Sequence, residues 1–272
     1  MIKSILAVSE GGADGIMAYR LAALVARRLG AAVDTVFAPA RSSDEVNIGA
    51  QAMPFLRDLD RSRIEAQARD TAKAYAEFVA ATPGATFTRD SSGDLDVLVG
   101  MGRRAGLIVV GRPGLDHDNP EPASISAMIH DSARPVMVAP PNLADRRFAS
   151  VVVAWNASRP ASRAAGYALP FLQAADKVTV ITVDAAPDDA TDALLLKHLA
   201  RHGIAASMER LQPAVASGRA RGRALVERVR TGDVDLLVMG AYGGGQLRTF
   251  LGLGGATGKV LSSCPVPLLM AH

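Results

Sequence analysis

Two glycine-built segments in the second half of this sequence have the make-up of an anion-binding loop. The first is Gly240-Ala241-Tyr242-Gly243-Gly244-Gly245, directly after an apolar run that ends at Met239. The second is Gly254-Gly255, followed by Ala256-Thr257-Gly258-Lys259 at the predicted start of the last helix. Glycine admits positive φ and lets backbone N–H groups approach a ligand closely. The free N–H groups and dipole of a helix start favour phosphate, and Thr257 adds a hydroxyl. The chemistry implied is a pocket for a phosphorylated small molecule. The plainer reading is that Gly240 and Gly243 turn the chain while Gly254 and Gly255 permit close packing.

Such loops need strands and helices to aim them, and the sequence supplies these twice. Ser4-Ile5-Leu6-Ala7-Val8 matches Ser150-Val151-Val152-Val153-Ala154, and Ala32 to Phe37 matches Lys177 to Val183. Leu107 to Gly111 followed by Gly114 matches Leu236 to Gly240 followed by Gly243, and Arg134 to Ala139 matches Val266 to Ala271. Four matches in one order indicate an internal duplication. Two domains are expected, 1–142 and 147–272, divided at the proline-rich joint Pro140-Pro141-Asn142-Leu143. In each, short Val/Ile-rich runs without polar alternation alternate with helical patterns. That is the signature of parallel strands buried on both faces, joined by right-handed crossovers. Met17, Leu21, Leu24 and Val25 share one helix face, and Leu194, Leu195 and Leu199 are read the same way. Pro160 after Ser158 marks a helix start. The final strand of each copy is expected at a sheet edge, where the two copies can pair within the chain as a pseudo-dimer. A further chain-to-chain dimer is compatible with this.

Composition narrows the function classes. Apolar residues are 49%, charged residues 21% and aromatics 4% of 272 residues, which suits two packed domains. The 30 basic and 27 acidic residues give a net charge of only +3. With few aromatics to stack bases, no nucleic-acid partner is expected. Cys264 is the only cysteine, which fits a reducing compartment. No run approaches the ~20 apolar residues of a membrane span. A cytoplasmic location and no membrane partner are expected.

Other chemistry-bearing residues read as structural. Asp116-His117-Asp118 are adjacent and do not converge on one ion. His198 and His202 are spaced i, i+4 without a third ligand, and with His130 they are expected on helix surfaces. Cys264 is expected to be packed. Ser9 to Asp14 is read as a strand-to-helix turn, and Arg41 to Gln51 as a loop. No catalytic base, no carboxylate dyad and no Walker-type lysine is identified.

The strand ending Val238-Met239-Gly240-Ala241-Tyr242-Gly243 and the tail from Lys259-Val260-Leu261 to Pro265-Val266-Pro267-Leu268-Leu269-Met270 resemble the universal stress protein family in its tandem form. The resemblance covers nearly the whole chain. It implies two Rossmann-like (adenine nucleotide alpha-hydrolase-like) α/β domains, each a five-stranded parallel sheet flanked by helices. It also implies a stress-response or signalling role. ATP-binding members carry Gly-x2-Gly-x9-Gly-Ser/Thr. Gly240 and Gly243 match the first pair; Gly254-Gly255 lies one residue further on and lacks the hydroxyl. Gly252 falls one residue early and precedes Leu253. The implied ligand is ATP or a related nucleotide, with Mg as a candidate companion and at most slow ATP hydrolysis expected. Its implied contacts are Ala154, Trp155, Asn156, Val183, Met239, Gly240, Gly243, Gly254, Gly255, Ala256 and Thr257. Asn156 stands where binding members commonly carry Asp, and Trp155 also reads as simple packing. The alternative is a partner-binding stress protein without nucleotide. In the first domain Gly111 and Gly114 remain, but Ser124-Ile125-Ser126 replaces the second glycine pair. Pro113, Pro120, Pro122, Asp116, Asp118 and Glu121 oppose phosphate there, so little or no nucleotide binding is expected in that domain.

Overall fold

The fold is taken from a computed structural model. It describes residues 2–9, 12–38, 85–89, 94–112, 123–143, 147–183, 189–215, 217–242 and 255–272, with single positions between 62 and 82. Asp116 to Asp118, residues 41–51, Gly114 and the three prolines 113, 120 and 122 lie outside them.

The first half runs β1 (Ser4–Ser9), α1 (Gly12–Leu29), β2 (Ala32–Phe37), β3 (Thr86–Arg89), α2 (Leu95–Gly102), β4 (Leu107–Gly111), α3 (Ala123–Asp131) and β5 (Val136–Ala139). The second runs β6 (Ser150–Ala154), α4 (Arg159–Leu172), β7 (Lys177–Val183), α5 (Asp189–Arg201), β8 (Ala206–Leu211), α6 (Gly218–Thr231), β9 (Leu236–Gly240), α7 (Ala256–Ser263) and β10 (Leu268–Ala271). All strands form one ten-stranded sheet in the order β3-β2-β1-β4-β5-β10-β9-β6-β7-β8. Each half is parallel throughout, as the unbroken apolar runs require. The halves join where β5 meets β10 antiparallel, Leu269 opposite Met137. The two strands expected at edges therefore cover each other.

Side chains alternate across the sheet, so each strand feeds two cores. On one face Val151, Val153, Val178, Val180 and Val238 pack with α1, α4 and α5 through Leu21, Ala164, Phe171 and Leu199. On the other, Val152, Ile181, Leu237 and Met239 pack with α2, α3, α6 and α7 through Val99, Met128, Val226 and Val260. Met17, Leu21, Leu24 and Val25 do share the packed face of α1. Leu194 does not join Leu195 and Leu199: it is 66% exposed. One residue step rotates a helical side chain by about 100°, so the i, i+4 pair takes the core and its neighbour turns to solvent. Ser158 caps α4, its Oγ accepting the Ala161 N–H at 3.2 Å, with Pro160 in the first turn. Among the described residues no helix is long and apolar enough to cross a membrane.

Candidate functional site

The C-terminal ends of β8, β7, β6 and β9 are neighbours in the sheet. Ala154 sits opposite Ile181 and Met239, and Val183 opposite Leu211. Ala154, Val183 and Leu211 are half-buried and pack, with buried Met239, on the α6/α7 side. They make an apolar shelf across four strand ends, at the crevice where strand order reverses and where open α/β sheets take ligands. Tyr242, just beyond β9, is half-buried on the same side.

The start of α7 stands beside this shelf. Gly255 is its N-cap in extended conformation (φ −71°, ψ −179°) and offers no side-chain cap. Among the described residues a Cβ on Gly255 would meet nothing within 4 Å. Among those residues the N-cap position of α7 is thus unfilled, and a helix start without a side-chain cap favours an anion. α7 is drawn in by α6, whose Gly222 would clash as alanine with the Ala256 carbonyl at 2.7 Å and Lys259 Cβ at 2.9 Å. The four-residue spacing of Gly218 and Gly222 was the available sequence signal for that close approach. Ala256 and Thr257 form the first turn, with Thr257 buried. Thr257 Oγ1 accepts the Tyr242 N–H at 3.2 Å, which helps hold Tyr242 at φ 56°. The hydroxyl read as a free ligand group is therefore already engaged, though its hydrogen can still be donated. Thr257→Val is expected to cost about 1–2 kcal/mol by stranding that N–H, read as a lower denaturant midpoint.

The remaining expected contacts separate. Asn156 is exposed, and its Oδ1 accepts the Ser158 N–H at 3.2 Å in a turn that sets up the α4 cap. Trp155 donates its backbone N–H to Ile181 at 2.8 Å, but its side chain packs with the opposite-face core. There its indole nitrogen is buried without a hydrogen-bond partner among the described residues, as is the Thr182 hydroxyl on the next strand. Gly240 also points away from the shelf: a Cβ there would come within 2.4 Å of the Ala161 nitrogen and 2.6 Å of the Pro160 carbonyl carbon. Gly243 and Gly254 lie outside the described residues. The structure thus packs Ala154, Val183 and Met239 into one core and links Thr257 to Tyr242 on that side, with Gly255 and Ala256 beside Thr257 at the start of α7. It adds Leu211, which the charges of its strand concealed.

No family model matches the sequence, and no curated protein does. Solved structures do match in shape. A universal stress protein from Archaeoglobus fulgidus aligns over 98% of this chain and 97% of its own, with a TM-score of 0.72 at 16% identity. The chain has the universal stress protein fold. A candidate universal stress protein from Pseudomonas aeruginosa aligns over 98% and 92%, with a TM-score of 0.55 and 16% identity. At such identity the fold is what is shared, so the site must be argued from this chain's own residues.

The first half places Arg112 where the universal stress fold of the second half places Ala241. Both donate their backbone N–H to the adjacent final strand, Arg112 to Ala139 at 2.9 Å and Ala241 to Ala271 at 2.8 Å. The Arg112 side chain is buried and donates to the Cys264 carbonyl at 2.7 Å, tying β4 to the end of α7. Cys264 itself is buried, as expected. His198 and His202 remain an edge-to-face pair with centroids 4.8 Å apart. Among the described residues no group of three or more His, Cys, Asp or Glu could hold a metal.

Proposed function

We propose that this chain is a stress-response module of the universal stress type that binds ATP or a related nucleotide in its second half. The reading rests on one juxtaposition: the apolar shelf of Ala154, Val183, Leu211 and Met239 beside the uncapped start of α7. A heteroaromatic base fits a flat apolar surface, and a phosphate fits converging helical amides. The base would lie on the shelf and the phosphates against the amides of Ala256 and Thr257. Mg, where present, would be held by phosphate oxygens and water. The test is calorimetric titration of the full chain with ATP, AMP and adenosine. Binding that tightens with phosphate count supports the reading; silence at millimolar ATP removes it.

A second reading is favoured by two hydrogen bonds. Asn156 Oδ1 and Thr257 Oγ1 both serve the protein's own backbone, as they would in a partner-binding protein that takes no nucleotide. Mass spectrometry of small molecules released from freshly purified protein separates the two.

A further inference from the structure

The seam between the half-sheets holds a ring cluster that the nucleotide reading leaves unused. His130, at the end of α3, lies with its centroid 4.5 Å from Tyr242 at 31° and 4.5 Å from His272 at 62°. His272 follows β10, and its Nδ1 lies 3.1 Å from the Ala241 carbonyl. That carbonyl can only accept, so Nδ1 carries the hydrogen. Ala241 and Tyr242 are in turn fixed by Ala271 and Thr257. The start of the glycine segment thus belongs to the second half through its backbone and touches the first half through its ring.

We propose that His130 and His272 form a proton-operated latch between the halves, holding Tyr242 while the imidazoles are neutral and releasing it when both are charged. The charged neighbours among the described residues can be named. Asp131 on α3 favours a charge on His130. Arg163 on α4 donates to the His272 carbonyl at 2.7 Å, and Arg103 beyond α2 donates to the Asp131 carbonyl at 3.0 Å. A first proton is tolerable, because an imidazolium on the tyrosine face is attractive. The second sets two like charges 4.5 Å apart, which repel. Burial, then His272, pushes the His130 pKa below its ordinary value. The opened state accordingly binds more protons than the closed one below about pH 6.5. The latch is closed above that range and weakens as pH falls through it.

Hydrogen exchange on the full chain at pH 8 and pH 5, corrected for intrinsic rates, tests this. Amides of Ala241 and Tyr242 are expected to lose protection at pH 5 relative to pH 8. His130→Phe keeps the stack without the proton and should make that protection indifferent to pH. Equal pH sensitivity in wild type and variant, or none in wild type, overturns the latch. If the variant does not fold, imidazole NMR of the wild type decides: coupled midpoints support the latch, and independent midpoints at ordinary histidine values overturn it.

Discussion

Gly255→Asp is expected to stabilise the protein while weakening ATP binding tenfold or more. Gly255 caps α7 with extended backbone, no side-chain bond and, among the described residues, open space around its Cβ position. Aspartate fits that conformation, and its carboxylate can accept the N–H of the second or third helical residue. It also places a negative charge at the positive end of the helix. Relative to glycine, the two effects together are worth about 0.5–1 kcal/mol, a rise of about 1–3 °C in melting temperature. The same carboxylate occupies the amides proposed to hold phosphate and repels it. A tenfold loss corresponds to about 1.4 kcal/mol, modest for a buried like-charge contact. Gly255→Asn caps without charge and separates occupation of the amides from repulsion. Melting curves and calorimetry in parallel read both signs. A lower melting temperature would mean that the start of α7 is not open, and unchanged affinity would place the phosphate elsewhere.

Much of the architecture is legible in the sequence because parallel strands buried on both faces leave an unambiguous trace. Val151-Val152-Val153 and Leu236-Leu237-Val238 have no polar alternation, and both are interior strands. The joining of the halves through Val136–Ala139 and Leu268–Ala271 follows from two short apolar strands that would otherwise lie bare. The site is less legible, for identifiable reasons. Ala154 and Trp155 are consecutive on one strand line, so strand periodicity alone sends them to opposite faces; the structure assigns them to different cores. Leu211 ends a strand carrying Glu209 and Arg210, whose ion pairs with Arg228 and Asp192 make the segment read as surface. The contact of His130 with Tyr242 has no local signature, because only the antiparallel seam brings α3 to the end of β9.

Gly240 shows how a correctly located motif residue can serve a different purpose, and its replacement should be the most destabilising single change in the motif. A Cβ at Gly240 would approach Ala161 N at 2.4 Å, Pro160 C at 2.6 Å and Ala161 Cα at 2.9 Å. All three are backbone atoms of the first turn of α4, so no rotamer change relieves the contact. That turn is also held by the Ser158 cap and the fixed φ of Pro160. Either α4 moves off the sheet or β9 shifts, and overpacking of this kind costs about 2–3 kcal/mol. Gly240→Ala is therefore expected to lower the melting temperature by about 5–10 °C. Gly166→Ala is the matched control. It lies inside α4 with nothing within 4 Å of its Cβ position, and should raise stability by about 0.5–1 kcal/mol through helix propensity. The comparison separates two roles for the first motif glycine. If Gly240→Ala melts early but still binds ATP at low temperature, the glycine is there for α4, and the phosphate is held by α7 alone. If it melts like wild type and loses ATP, the close approach of α4 is not what requires glycine, and the ligand is.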